Sequence, residues 1–330
     1  MDVLFETDCD LSLMRARTVA VLGYGNQGRA QALNLRDSGV NVIIGARTGG
    51  RGTESAAADG FDVKTPADAV RGADVVAVLT PDETQAALYR DAIAPNVRSG
   101  GALVFAHGLA IRFSLIDPRP DLDILLVSPK GPGSALRHLY VEGQGMVALY
   151  AIGQDASGQA APLALSYAAA IGSGRAGILP TSFAEECEAD LFNEQAVVWG
   201  AVPEILRAGY DTLVEAGVSE EVAYLECVSE LKLLADLIYE RGIAGMREAI
   251  SNTAEFGATT GGSRMVNLQT RAAMRQILAE IRAGRFTEQL VADAEEGYPR
   301  LAAARTRAAS QPLEETGRKL RSLQQSRSST

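Results

Sequence analysis

Hydrophobic residues fall in two textures along the chain. Up to about residue 180 they come as short, often β-branched runs: Thr18 to Leu22, Val40 to Ile44, Ala73 to Leu79, Ala102 to Phe105, Asp123 to Val127 and Met146 to Ile152. Runs of this length bounded by Gly and Pro read as buried strands. Amphipathic stretches separate them, such as Arg29 to Ser38, closed by Gly39 as a helix stop. Strand alternating with helix predicts an α/β unit built on a doubly wound parallel sheet. Past Ser182 the strand-like runs end, and long helical periodicities continue to about Ala309. The expected organisation is a sheet domain over 1–181, an all-helical domain over 182–323, and a Ser/Gln/Arg-rich tail over 324–330 expected to be disordered.

The first strand runs into Gly23-Tyr24-Gly25-Asn26-Gln27-Gly28. A first glycine permits the tight turn, a second lets backbone approach a pyrophosphate, and a third lets helix pack on strand. Strand, glycine turn and helix together make this a dinucleotide-binding fingerprint; an accidental Gly-rich turn is the bland alternative. After the second strand, enzymes that use NAD usually carry an acid for the ribose 2′-hydroxyl. Here the loop reads Gly45-Ala46-Arg47-Thr48-Gly49-Gly50-Arg51-Gly52-Thr53, so Arg47 and Arg51 favour a 2′-phosphate and hence NADPH, unless they are only solvated charges.

Composition narrows the class. With 330 residues, 47% hydrophobic and 22% charged, the chain can support two cores. A formal charge of −10 without a basic run argues against nucleic acid and for a small-molecule enzyme. Cys9, Cys187 and Cys227 lack CxxC spacing, which points away from a disulfide framework and toward a reducing compartment. No apolar run reaches membrane-spanning length and no basic leader precedes the first strand, so a cytoplasmic protein is expected.

Two pairs of acids stand four residues apart in helical sequence, Asp190 with Glu194 and Glu226 with Glu230. Carboxylates at i and i+4 share a helix face and can converge on a hard cation, although a solvated helix face is the commoner fate of such pairs. Lys130 follows a strand in a Pro/Gly-rich loop, at the sheet edge where ligands bind in open α/β folds. His107 also follows a strand. It is a candidate for proton transfer or nicotinamide positioning, or else a satisfied structural histidine.

The residues now match a known family. DLSLMRARTVAVLGYGNQGRAQALNLRDSGV over Asp10 to Val40, LTPDETQ, FAHG, SPKGPG, EADLFNEQAV, SELKLLADLIYE and SNTAEFG resemble, in order, the short (class I) ketol-acid reductoisomerases. The resemblance covers about residues 1 to 323. It implies a Rossmann domain joined to a knotted helical domain, and a homodimer whose helical domains share each active site, with assembly beyond the dimer left open. It implies an NADP-dependent oxidoreductase and isomerase of branched-chain amino-acid synthesis. Two Mg²⁺ ions would bind 2-acetolactate or 2-aceto-2-hydroxybutanoate, an alkyl group would migrate, and NADPH, or NADH in its place, would reduce the product to a 2,3-dihydroxy acid. Asp190 would bridge the ions, Glu194 would complete one site, and Glu226 and Glu230 of the partner would complete the other. Catalytic roles fall on His107, Lys130 and Glu230. Cofactor contacts fall on the fingerprint with Arg47, Arg51, Thr53, Pro81, Asp82, Gln85, His107 and Gly133, and substrate contacts on Pro132, Ser251 and Ala254.

Several positions depart from the family pattern. Leu109 and Ala110 replace FN in HGFNI, Ser134 replaces His in PKGPGHTVR, and Ser229 replaces His in HELK, removing an imidazole beside Glu230. Gly50 and Gly52 stand where serines are usual, and Trp199 where cysteine is common; its indole would either reshape the pocket or fill a core. The alternative reading is a diverged member that reduces another 2-keto acid or an imine without migration.

Overall fold

The computed structural model describes residues 2–47 and 49–327, with side chains up to 323. The chain divides between Ala189 and Asp190 into two compact units. The first contains eight strands: β1 Thr18–Leu22, β2 Asn41–Gly45, β3 Asp62–Lys64, β4 Val75–Val78, β5 Ala102–Phe105, β6 Asp123–Pro129, β7 Ala148–Gln154 and β8 Ile178–Pro180. They form one sheet in the order β3-β2-β1-β4-β5-β6-β7-β8. Side chains alternate across a strand, and both faces are covered here: Val19 and Val21 join the core cluster on one side, Ala20 and Leu22 that on the other. Strand order reverses between β1 and β4, which opens a crevice at their carboxyl ends.

The expected parallel sheet holds from β3 through β6. β7 departs from it, running antiparallel to β6 with Pro129 opposite Ala148. The reason is local. The helix Gly133–Val141 and the glycine-containing turn after it return the chain to the edge it left, and the Lys130 amide donates to the Val147 carbonyl at 2.9 Å. β3 and β8 carried no readable signal, being three residues each; two of the three β3 residues, Asp62 and Lys64, are charged and β8 ends in Pro180.

The second unit is helical. After the end of the helix Phe183–Ala196 come Ala201–Glu215, Glu220–Tyr224, a π-helical turn Leu225–Ser229, and helices Leu231–Glu248, Asn252–Met265, Leu268–Arg282, Arg285–Glu295, Pro299–Ala309 and Pro312–Arg327. The last of these continues through 327, past the point where a disordered tail was expected, and 328–330 lie outside the described residues. Its small core gathers Tyr210, Ala223 and Tyr224 with Leu213, Leu313 and Leu320. No helix among the described residues is long and apolar enough to cross a membrane.

Candidate active site

The glycine turn is sterically obligatory. Gly23 has φ +93°, and a Cβ there would lie 2.8 Å from the Leu79 carbonyl oxygen. A Cβ on Gly28 would lie 2.0 Å from the Gly23 oxygen, so the helix Asn26–Asp37 could not start where it does. Gly25, by contrast, faces open space, as a backbone meant to be approached by a ligand should. The start of helix Gly133–Val141 is brought against the same turn: a Cβ on Gly133 would be 2.1 Å from the Asn26 oxygen. Gln27 Nε2 donates to the Gly131 carbonyl at 2.9 Å, and Asn26 Oδ1 accepts from the Ser134 amide at 2.9 Å. These two side chains therefore tie the loops together, leaving their backbone to face a ligand.

Across the crevice, the residues after β4 contribute Pro81, Asp82 and Gln85. Gln85 is 4% exposed, and its Nε2 donates to the Thr80 carbonyl at 3.0 Å and Asp82 Oδ1 at 3.1 Å. That fixes the amide orientation. Gln85 Oε1 and Thr80 Oγ1 are left buried and unsatisfied among the described residues, a condition usually relieved by water or ligand. On the β2 side, Thr53 Oγ1 donates to the Arg47 carbonyl at 2.7 Å and steadies the loop. Arg47 and Arg51 are exposed, and among the described residues neither has a carboxylate partner.

Beyond β5 and β6, one carboxylate organises the sheet edge. Glu186 is 2% exposed. Its Oε2 accepts from the Gly108 amide at 2.9 Å and faces His107 Nδ1 at 3.1 Å, while Oε1 accepts from Ser128 Oγ at 2.8 Å and Lys130 Nζ at 3.0 Å. Burial alone would raise the Glu186 pKa, but the His107 hydrogen bond and charge, with Lys130 and Ser128, pull it down to about 2. Burial opposes charge on His107 as well. Its Nε2 contact with Cys187 Sγ at 4.0 Å and the Glu186 carboxylate nevertheless hold its pKa well above 6.5. Gly108 makes the docking possible, since a Cβ there would lie 2.4 Å from the Phe183 oxygen. Arg112 Nη2 adds a 2.9 Å bond to Glu188.

Glu186 was missed in the sequence, although it extends a readable series. Glu186, Asp190 and Glu194 stand at i, i+4 and i+8 of one helix and share a face. Glu226 and Glu230 differ from expectation. The π-helical turn Leu225–Ser229 lies between them, where the spacing predicted an uninterrupted α-helix; such turns recur at functional sites. Nor are they enclosed by apolar neighbours: both are exposed, as are Leu233 and Leu234 beside them. Ser251 caps the helix Asn252–Met265, its Oγ accepting from the Ala254 amide at 3.2 Å. Pro132 is the exposed residue just before helix Gly133–Val141. Of the departures, Leu109 and Ala110 are buried, whereas Ser134 and Ser229 are exposed. Trp199 lies in the turn after Ala196 and is 68% exposed, so it fills no core within this chain.

Residues 13–177 match the family described as acetohydroxy acid isomeroreductase, NADPH-binding domain, and residues 183–326 that described as ketol-acid reductoisomerase, C-terminal domain. The chain belongs to the ketol-acid reductoisomerase family. A solved structure similar to it throughout is an NADH-preferring ketol-acid reductoisomerase from an uncultured archean, 41% identical over 98% of this chain and 99% of that one, with a TM-score of 0.95. More distant likenesses concern the fold alone. A semialdehyde dehydrogenase NAD-binding protein from Cupriavidus necator is 18% identical over 81% of this chain and 98% of its own, with a TM-score of 0.61. A pyrroline-5-carboxylate reductase from Coxiella burnetii is 15% identical over 79% and 96%, with a TM-score of 0.55. Family membership makes the protein an oxidoreductase and isomerase that uses a nicotinamide dinucleotide and a small-molecule substrate in branched-chain amino-acid synthesis.

Proposed function

We propose that the protein converts 2-acetolactate, or 2-aceto-2-hydroxybutanoate, to the corresponding 2,3-dihydroxy acid by alkyl migration followed by reduction with NADPH. The observation that carries this reading is Glu186, one buried carboxylate that joins Lys130 and His107 at the sheet edge to the helix bearing Asp190 and Glu194. Lys130 Nζ, held at 3.0 Å from Glu186 and partly exposed, offers a fixed ammonium to a substrate hydroxyl or carboxylate. His107, kept protonated, supplies a stationary positive charge where hydride is delivered. Ser251 would hold the substrate carboxylate, with Pro132 and Ala254 beside it.

The residues fit the groups that the family implies. Gly25 leaves open space beside its backbone, and Gln85 Oε1 and Thr80 Oγ1, in the segment that follows β4, are buried without a partner among the described residues, which a dinucleotide's hydroxyls or amide would relieve. Arg47 and Arg51, without a carboxylate partner among the described residues, favour the 2′-phosphate of NADPH; the archaeal relative's preference keeps NADH as the alternative. The proposed metal donors, Asp190, Glu194, Glu226 and Glu230, offer only carboxylate oxygens, the ligand type that suits Mg²⁺. Two such ions would polarise the ketone and stabilise negative charge on both substrate oxygens during migration. Glu230 is assigned a catalytic part besides ligation.

A homodimer completes the site in this proposal, with residues 1–181 binding cofactor, 182–323 binding metal, substrate and partner, and Glu226 and Glu230 acting across the interface. Large apolar side chains on the helical unit support it: Tyr239 is 93% exposed, Leu268 81% and Phe256 74%. The knotted path and a cytoplasmic location belong to the same proposal. Following NADPH oxidation with 2-acetolactate and with 3-hydroxy-3-methyl-2-oxobutanoate, each with and without Mg²⁺, tests it. Turnover of both, with acetolactate strictly Mg²⁺-dependent, is expected. Turnover of the rearranged acid alone would replace the proposal with a reductase that has lost migration, the reading that Trp199 and Ser229 would then explain.

A further inference from the structure

Above the glycine turn lies a cleft of about 220 Å³ whose lining includes Gly25, Asn26, Arg29, Ser55, Ser134 and Arg137. Arg29 sits one turn into the fingerprint helix, its amide donating to the Gly25 carbonyl at 2.9 Å. A guanidinium there would draw the phosphates of a bound dinucleotide. Instead it is gripped by Asp59: Nε donates to Oδ2 at 2.7 Å and Nη2 to Oδ1 at 2.9 Å. The Tyr24 hydroxyl donates to Oδ2 as well, at 2.8 Å. The cleft's other arginine is compensated in the same way, Arg137 bonding Asp37 at 2.6 Å.

We propose that Asp59 determines cofactor preference by neutralising Arg29 on the wall of the dinucleotide cleft. The proposal rests on the dinucleotide reading above. To a phosphate, the Arg29–Asp59 pair is nearly neutral. Removing the carboxylate charge while keeping its shape leaves an arginine whose side chain is 52% exposed beside the cleft. A 2′-phosphate adds nearly two negative charges to the cofactor, so NADPH gains more from an unmasked cation than NADH does. Asp59 also ties the helix Arg51–Ala58 to Tyr24, and a purely structural role would predict the opposite sign: loss of both cofactors alike.

The experiment is a fluorescence titration of NADPH and NADH against full-length wild type, Asp59→Asn, Arg29→Gln, the double variant and Tyr24→Phe. Asp59→Asn is expected to tighten NADPH roughly three- to tenfold and NADH less, with the gain fading as salt rises. Arg29→Gln, which leaves the Asp59 carboxylate uncompensated, should weaken NADPH more than NADH, and the double variant, neutral again, should return near wild type. Tyr24→Phe breaks the tie but keeps both charges and so measures what the tie alone contributes; an NADPH-to-NADH ratio in Arg29→Gln equal to wild type overturns the proposal even if Asp59→Asn does not fold. Equal weakening of both cofactors in Asp59→Asn, or a gain that survives in the double variant, overturns it too. Wild type binding neither cofactor would sink the dinucleotide reading itself, and the proposal with it.

Discussion

In the sheet unit, Val19, Val21, Leu22, Val76, Leu103 and Leu126 are fully enclosed, and the charged group at the strand ends, Glu186, has each oxygen contacted by two polar groups. In the helical unit, Leu233, Tyr239, Ile243, Phe256 and Leu268 stand more than half exposed, and Glu226 and Glu230 lie among exposed neighbours. Each large apolar residue left in water forgoes roughly 1.5–3 kcal/mol of burial. One unit encloses its large apolar residues within the chain and the other leaves many of them exposed, which a second chain would cover in the proposed homodimer. Chemistry that needs acids from the helical unit is therefore expected to need a second chain.

The sharpest way to break this contrast is to remove a proposed metal donor. Asp190→Asn should lower Mg²⁺-dependent turnover of acetolactate on the order of a thousandfold or more while NADPH affinity stays near wild type. Unchanged turnover would take Asp190 out of the mechanism. In the sheet unit, Glu186→Gln should destabilise the fold by about 3 kcal/mol, from a drop in pKa from 4.5 to about 2 at roughly 1.4 kcal/mol per unit. The sign follows from the direction: a depressed carboxyl stabilises fully above pH 4.5 and loses that contribution as pH falls toward 2. His107, raised from 6.5, contributes below that value and loses it as pH climbs through its folded pKa. Urea unfolding of wild type and variant should thus differ most between about pH 4.5 and 6.5 and converge in acid. A gap independent of pH would mean that packing, not charge, is what Glu186 provides.

Smaller effects probe the helical unit. Gly242 interrupts the helix Leu231–Glu248 at φ 68°, ψ 176°, and a Cβ there would meet no atom within 4 Å. Gly242→Ala should therefore cost about 1–3 kcal/mol through the backbone alone, read as a shift in denaturant midpoint. Leu268→Ser should change the stability of a separated chain by less than about 0.5 kcal/mol, yet weaken self-association in sedimentation. A large loss of chain stability would contradict the exposure seen for Leu268.

Much of the sheet unit was legible because its signals are local. Short apolar runs gave β1 and β5 to the residue, and the glycine spacing gave a turn that only glycine can make. β7's direction was not legible, since reversal depends on how the helix Gly133–Val141 and its following turn lead back to the edge, not on the hydrophobic run itself. Glu186 was in view but unread, its partners Ser128, Lys130 and His107 lying 56 to 79 residues away in sequence. For the helical unit, periodicity predicted helices correctly but could not tell an apolar face that meets its own chain from one that meets another. The π-turn between Glu226 and Glu230 carries no spacing signal at all.

Subunit complementation tests most directly whether the site is shared. Asp190→Asn and Glu230→Gln should each be nearly inactive alone. Unfolded together and refolded as a mixture, they should regain about a quarter of wild-type turnover, because half the dimers are hybrids and each hybrid assembles one intact site from the two unaltered residues. Mixtures that stay as inactive as their components, while sedimenting as dimers, would place both acids in sites made by one chain and contradict the shared centre.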